Sequence, residues 1–232
     1  GGREQPRGQL RDQKKSILAG LLRNVLYPVL IIGLLFRILG IHSRPLWYDE
    51  AFAVLFSEKG LARMIYGTMD ATTSGSADVH PLLYYILLNF WMKISGESPI
   101  AVRGLSVIIS LVCLVIIYYF TQELFGNVKA LVLSILAAIS PFYIHYSQEV
   151  RMYALLALFL LAATISLWKA MKYSGRRWWF AFCVFCALAQ YTHNLAVFYI
   201  IPLASTPLLL RRWKDFINVV ISGLGAILLY LP

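Results

Sequence analysis

The chain has 232 residues, is 59% hydrophobic and only 14% charged, and has a mean hydropathy of +0.69. Soluble domains average about 45–50% apolar and about 25% charged residues. This excess of apolar residues cannot be buried in one soluble core, which argues against a soluble enzyme, a disordered protein and a nucleic-acid-binding domain. The net charge of +10 fits either nucleic acid or the cytoplasmic loops of a membrane protein, and its placement along the chain decides between them.

Residues 1–16 are polar and basic, with Arg3, Arg7, Arg11, Lys14 and Lys15, and are read as a cytoplasmic tail. The apolar run 17–40 is too long for a signal-peptide core and has no small-residue cleavage site after it, so it is assigned as the first transmembrane helix. A span needs about 20 apolar residues. Further candidates lie at about 100–121, 128–147, 151–170, 178–210 and 216–232. The 178–210 run would measure about 50 Å as one helix, against a membrane core of about 30 Å. It is therefore divided at Thr192-His193-Asn194, giving spans 178–192 and 194–210 and seven spans in all. Cys113, Cys183 and Cys186 all lie in apolar runs and offer no disulfide framework.

Residues 41–99 form a large loop rich in acidic residues. A helix of about Tyr48 to Lys59 is expected, ended by Gly60. A second is expected to open at Pro81 and stop before Gly96. The second reaches only about 22 Å, so it is laid on the membrane surface. With a cytoplasmic amino end, 14 of the 21 basic residues fall on the inner side and seven on the outer side. Sending 81–95 through the membrane would move the Lys169–Arg177 and Arg211–Lys214 clusters outside and break the positive-inside rule. The charge is thus a topology signal, and no nucleic acid is needed to explain it.

This topology gathers Asp49, Glu50, Asp78, His80, Arg103, His145, Gln148, Glu149, Arg151 and His193 on the outer face. Ionisable groups near lipid are costly, so such a gathering suggests a site. Each residue also has a plain structural reading. Asp49 and Glu50 suit a helix N-terminus, and they point about 100° apart. If one faces a cavity, the other is free to hold a metal, an arginine or a backbone N–H. His80 and His193 fit cap and turn positions. Arg37 and Arg103 could snorkel to head groups or bind a phosphate with their planar fork. No nucleotide-binding or hydrolase-elbow motif is present, and the missing internal repeat weakens an inverted-repeat transporter.

The order of motifs resembles a known family. Trp47-Tyr48-Asp49-Glu50-Ala51, His80-Pro81-Leu82-Leu83-Tyr84-Tyr85, Arg103, Ser147-Gln148-Glu149-Val150-Arg151-Met152-Tyr153 and Tyr191-Thr192-His193 together look like the amino-terminal half of bacterial membrane glycosyltransferases related to the protein O-mannosyltransferases. The segment at His80 departs from the family's His-Pro-Pro by having one proline. The resemblance implies an all-α polytopic GT-C bundle with a large first extracytoplasmic loop, in a bacterial plasma membrane, and a further half beyond this chain. It implies a polyprenyl-phosphate-linked sugar as donor and a protein, lipid or glycan hydroxyl as acceptor. Asp49 is implied as catalytic base or metal ligand, with Glu50 and Glu149 building the same site. Arg103, Arg151, His80, Gln148 and His193 are the expected substrate and phosphate contacts, and a divalent metal on Asp49 and Glu149 is a further implication. A lipid flippase or transporter and a non-catalytic membrane scaffold are the competing functions.

Overall fold

A computed structural model describes residues 26–69 and 81–230. The described residues are almost wholly helical, with no strand among them. Helix α1 covers Leu26–Ile38, and α2 Tyr48–Glu58, α3 Leu61–Met69 and α4 Leu83–Ser95 follow. Then come α5 Pro99–Phe125, α6 Asn127–Ile139, α7 Pro141–Ser147 and α8 Tyr153–Tyr173. The last three are α9 Arg176–Thr192, α10 Ala196–Leu209 and α11 Trp213–Tyr230.

Helix ends follow local chemistry. Ser98 caps α5 by accepting the Ala101 N–H, with Pro99 in the first turn. Gly60, Gly96 and Gly126 take positive φ, where a residue with a Cβ would be strained. Pro141 ends α6, and α6 and α7 meet at a 57° bend. The expected 128–147 span is therefore a straight helix with a short, sharply bent continuation. The 178–210 run breaks at His193–Leu195.

Helices α5, α8 and α11 are long and apolar enough to cross a membrane, and the bent α6–α7 pair makes a fourth candidate. Helices α1 and α10 are shorter apolar helices. Helix α9 packs against α8 and α11. Side chains such as Ile31, Leu35, Leu136, Phe198, Ile201 and Leu228 are exposed around the bundle. An apolar exterior of this extent needs lipid as solvent. This is an all-α membrane protein.

Small residues allow the helices to approach closely. A Cβ at Gly225 of α11 would lie 2.9 Å from the Cys183 Sγ of α9, whereas one at Gly223 would meet nothing within 4 Å. Gly225→Ala is expected to cost about 1–3 kcal/mol through overpacking, Gly223→Ala close to nothing, and Cys183→Ala should rescue the former. Thermal unfolding in detergent reads all three.

Inside the bundle, fully buried Arg37 of α1 joins three helices. Its Nε donates to Ser110 Oγ of α5 at 2.8 Å, and its Nη1 donates to the carbonyls of Gly33 and of Ala138 at the end of α6. It therefore serves as an internal brace. Glu123 lies at the other end of α5, within ion-pair distance of Lys169 and Lys172 and accepting the Tyr173 hydroxyl.

Helices α2 and α4 close the opposite end, where Asp49 lies. Ala53, Phe56, Tyr85, Leu88, Val102 and Met152 share one core there. The Asn89 amide donates to Ser57 O, and Trp91 Nε1 to Ala101 O. Helix α4 is thereby held on α2 and α5.

Candidate active site

Helix α2 starts at Tyr48, so Asp49 and Glu50 both lie in its first turn and diverge. Glu50 is buried. Its carboxylate accepts Arg103 Nε at 3.0 Å, Arg103 Nη2 at 2.6 Å, the Val150 N–H at 3.0 Å and the Trp47 N–H at 3.3 Å. Arg103 also donates from Nη1 to the carbonyls of Ile41 and Arg44 and from Nη2 to that of Pro45. A guanidinium has five N–H donors, and all five of Arg103's are engaged here. This corrects the expectation of Arg103 as a phosphate ligand, because no donor remains to offer. The pair instead ties the 41–50 segment, α5 and the turn before α8 into one unit.

That tie aligns α2 with residues 149–151. Asp49 is half-buried, and its Oδ2 lies 3.7 Å from Arg151 Nη2. Arg151 is buried, with no hydrogen-bond partner for its Nε among the described residues. A donor so placed suits a substrate oxygen. Glu149 is buried except for the carboxylate edge that meets His145 Nε2 at 3.1 Å, and its carbonyl accepts the Ser106 hydroxyl. Burial pushes the Glu149 carboxyl above the usual carboxylate range, and nearby Glu50 adds to this. His145, Arg151 and Arg44 oppose it.

The raised pKa gives a sign for pH dependence. The neutral carboxyl suits this burial, so its contribution to stability is full below the unfolded pKa and is lost as pH rises through the higher folded value. Glu149→Gln should abolish that loss. A pH series of thermal midpoints checks it, with the wild type falling across the window and the variant flat.

Gln148, an expected substrate contact, lines a cavity at this end and also holds the end of α1. Its amide nitrogen caps the end of α1, reaching Arg37 O at 3.0 Å and Leu39 O at 2.8 Å, while its oxygen accepts Arg44 Nη2 at 3.4 Å. His193 lies in the α9–α10 turn, where Nδ1 accepts the Leu195 N–H and the ring stacks on Tyr153. His80 and Asp78 lie outside the described residues. Among the described residues no three His, Cys, Asp or Glu side chains converge as a metal set. Asp49 faces Arg151, and Glu149 faces His145.

A cavity of about 260 Å³ opens here, lined by Arg44, Pro45, Trp47, Glu50, Arg103, His145, Gln148 and Glu149. His145 belongs to the outer-face gathering read from the sequence and Trp47 to its first motif, whereas Arg44 was not singled out there. An arginine before a proline carries no local mark of a cavity. On the other side of α7, a groove of about 510 Å³ is walled by Phe142, Tyr143, Tyr146, Tyr153, Leu160 and Tyr199, with other residues of α5 and α8.

A polytopic helical bundle with a buried ion pair, a half-buried carboxylate and an apolar groove at one end defines a membrane protein with a site at its end. The model of the dolichyl-phosphate-mannose-protein mannosyltransferase family matches residues 79–232, well over half the chain, so the chain belongs to that family and is a membrane glycosyltransferase of the GT-C type. The match contains Arg103, Gln148, Glu149, Arg151 and His193, whereas Asp49 and Glu50 precede it. No curated protein matches the chain.

Proposed function

We propose that the chain moves a sugar from a polyprenyl-phosphate donor to an acceptor hydroxyl on the extracytoplasmic face of a bacterial plasma membrane, with Asp49 as catalytic base. One observation carries this reading: a half-buried carboxylate is held against a buried, under-bonded arginine by a fully engaged Glu50–Arg103 tie. The aromatic groove beyond α7 supports it as an apolar seat for a polyprenyl tail next to the charged site. The sidedness is supported by the excess of basic residues at the Lys169 end.

In the reaction the acceptor oxygen attacks the anomeric carbon and the carbon–oxygen bond to the donor phosphate breaks. The hydroxyl proton passes to Asp49, the lipid phosphate departs with the bonding electrons, and Asp49 later yields its proton to water. A phosphate leaves without a strong acid, so the arginines serve to stabilise charge. Arg151 orients the Asp49 carboxylate and offers its remaining donors to substrate oxygens. Glu50 is a positioning residue, because every part of its carboxylate is engaged.

The test is transfer from a synthetic polyprenyl-phosphate sugar by the purified full-length protein in proteoliposomes. Glycoside formation on the outer side is the expected result. Lipid movement without glycoside formation would assign a flippase, and an intact protein without turnover would assign a scaffold.

A further inference from the structure

We propose that Arg44 is the residue that holds the phosphate of the lipid-linked donor, within the 260 Å³ cavity; this rests on the sugar-transfer reading above. The donor phosphodiester carries one negative charge, and the departing monoester carries about −1.5 to −2 at neutral pH. About one further charge therefore develops on the phosphate as the bond breaks, and a cation must meet it there.

The described arginines at this end differ in what they have left to give. Arg37 is fully buried as an interhelical brace, and Arg103 has no donor remaining. Arg151 is buried beside Asp49 and does not line this cavity. Arg44 is exposed, lines the cavity, and has one long side-chain bond, at 3.4 Å to Gln148. Its backbone is held in place, because Arg103 Nη1 donates to the Arg44 carbonyl at 2.9 Å and Pro45 fixes the next φ. A rigid backbone presenting an under-used fork into a cavity is a preorganised anion site.

The rest of the lining agrees with this. Glu50 and Arg103 neutralise each other, and Glu149 faces His145. An entering phosphate therefore meets the Arg44 fork as the cation of the lining that no carboxylate already engages. The cavity and the apolar groove lie on either side of α7, with His145 on one side and Tyr146 on the other. A lipid phosphate could bridge them with its head on Arg44 and its tail in the groove.

The experiment measures binding of a polyprenyl monophosphate and of the matching polyprenol to the full-length protein in nanodiscs, with inorganic phosphate as competitor. The wild type should prefer the phosphate by about tenfold or more, in line with one charge-assisted bond. Arg44→Ala should lose that preference while its polyprenol affinity and unfolding temperature stay unchanged. Arg44→Lys, which keeps the charge without the fork, should fall between. An unchanged preference in Arg44→Ala overturns the proposal, and so does equal binding of inorganic phosphate, which would assign the cavity to free anions. If Arg44→Ala keeps its preference while the wild type transfers sugar, the Arg44 assignment fails and the transferase reading stands. If the wild type transfers no sugar yet Arg44→Ala loses its preference, the phosphate site stands and the transferase reading fails.

Discussion

Replacing Asp49 with Asn is expected to reduce sugar transfer by about 10²–10⁴-fold, the usual contribution of a positioned general base, with little effect on expression. Asn keeps the shape and removes the proton acceptor. The side chain is 37% exposed, and its one described contact is the 3.7 Å approach to Arg151. Losing that contact leaves Arg151 close to Glu149, whose carboxyl already feels its charge. The fall should appear in kcat more than in donor binding, because Asp49 acts on the acceptor proton and not on the lipid phosphate. Single-turnover transfer with a labelled donor, alongside donor binding, separates the two. Full activity of Asp49→Asn would remove Asp49 from the chemistry.

Arg103→Ala should do a different kind of damage. It leaves the buried Glu50 carboxylate without its cation and frees the carbonyls of Ile41, Arg44 and Pro45. Breaking a buried pair by removing one partner costs about 3–5 kcal/mol. The variant should therefore unfold at lower temperature in detergent, and the 41–50 segment should become open to proteolysis. Replacing both members, as Glu50→Gln with Arg103→Met, removes the uncompensated charge and should recover part of the stability. It should not recover activity, because the tie that aligns Asp49 with Arg151 is gone. Unaltered thermal stability of Arg103→Ala would contradict the clasp and return Arg103 to the list of substrate contacts.

Much of the helical plan is legible in sequence because its signals are local. Gly60, Gly96 and Pro141 mark helix ends by their own backbone limits, and Thr192-His193-Asn194 interrupts a run too long for one crossing. The divergence of Asp49 and Glu50 also follows from helix geometry alone, and Glu50 does hold an arginine and a backbone N–H.

What Arg103 and Gln148 do is not legible, because it depends on partners far along the chain. The carbonyls that engage Arg103 lie about sixty residues away, at Ile41, Arg44 and Pro45. The helix end that Gln148 caps is that of α1, more than one hundred residues before it. A guanidinium or an amide in a polar motif reads as a ligand contact until its neighbours are known. Arg44 escapes notice for the converse reason: its value as an anion donor comes from what surrounds it and leaves it unengaged.

The central claim is most directly tested by a structure of the Asp49→Asn variant, which should retain unreacted donor, with a polyprenyl-phosphate sugar bound. The account predicts the anomeric carbon within reach of residue 49, and the phosphate at the same end of the bundle. A donor whose phosphate lies at the opposite end, among Lys169, Lys172 and Arg212, would contradict both the site and the sidedness.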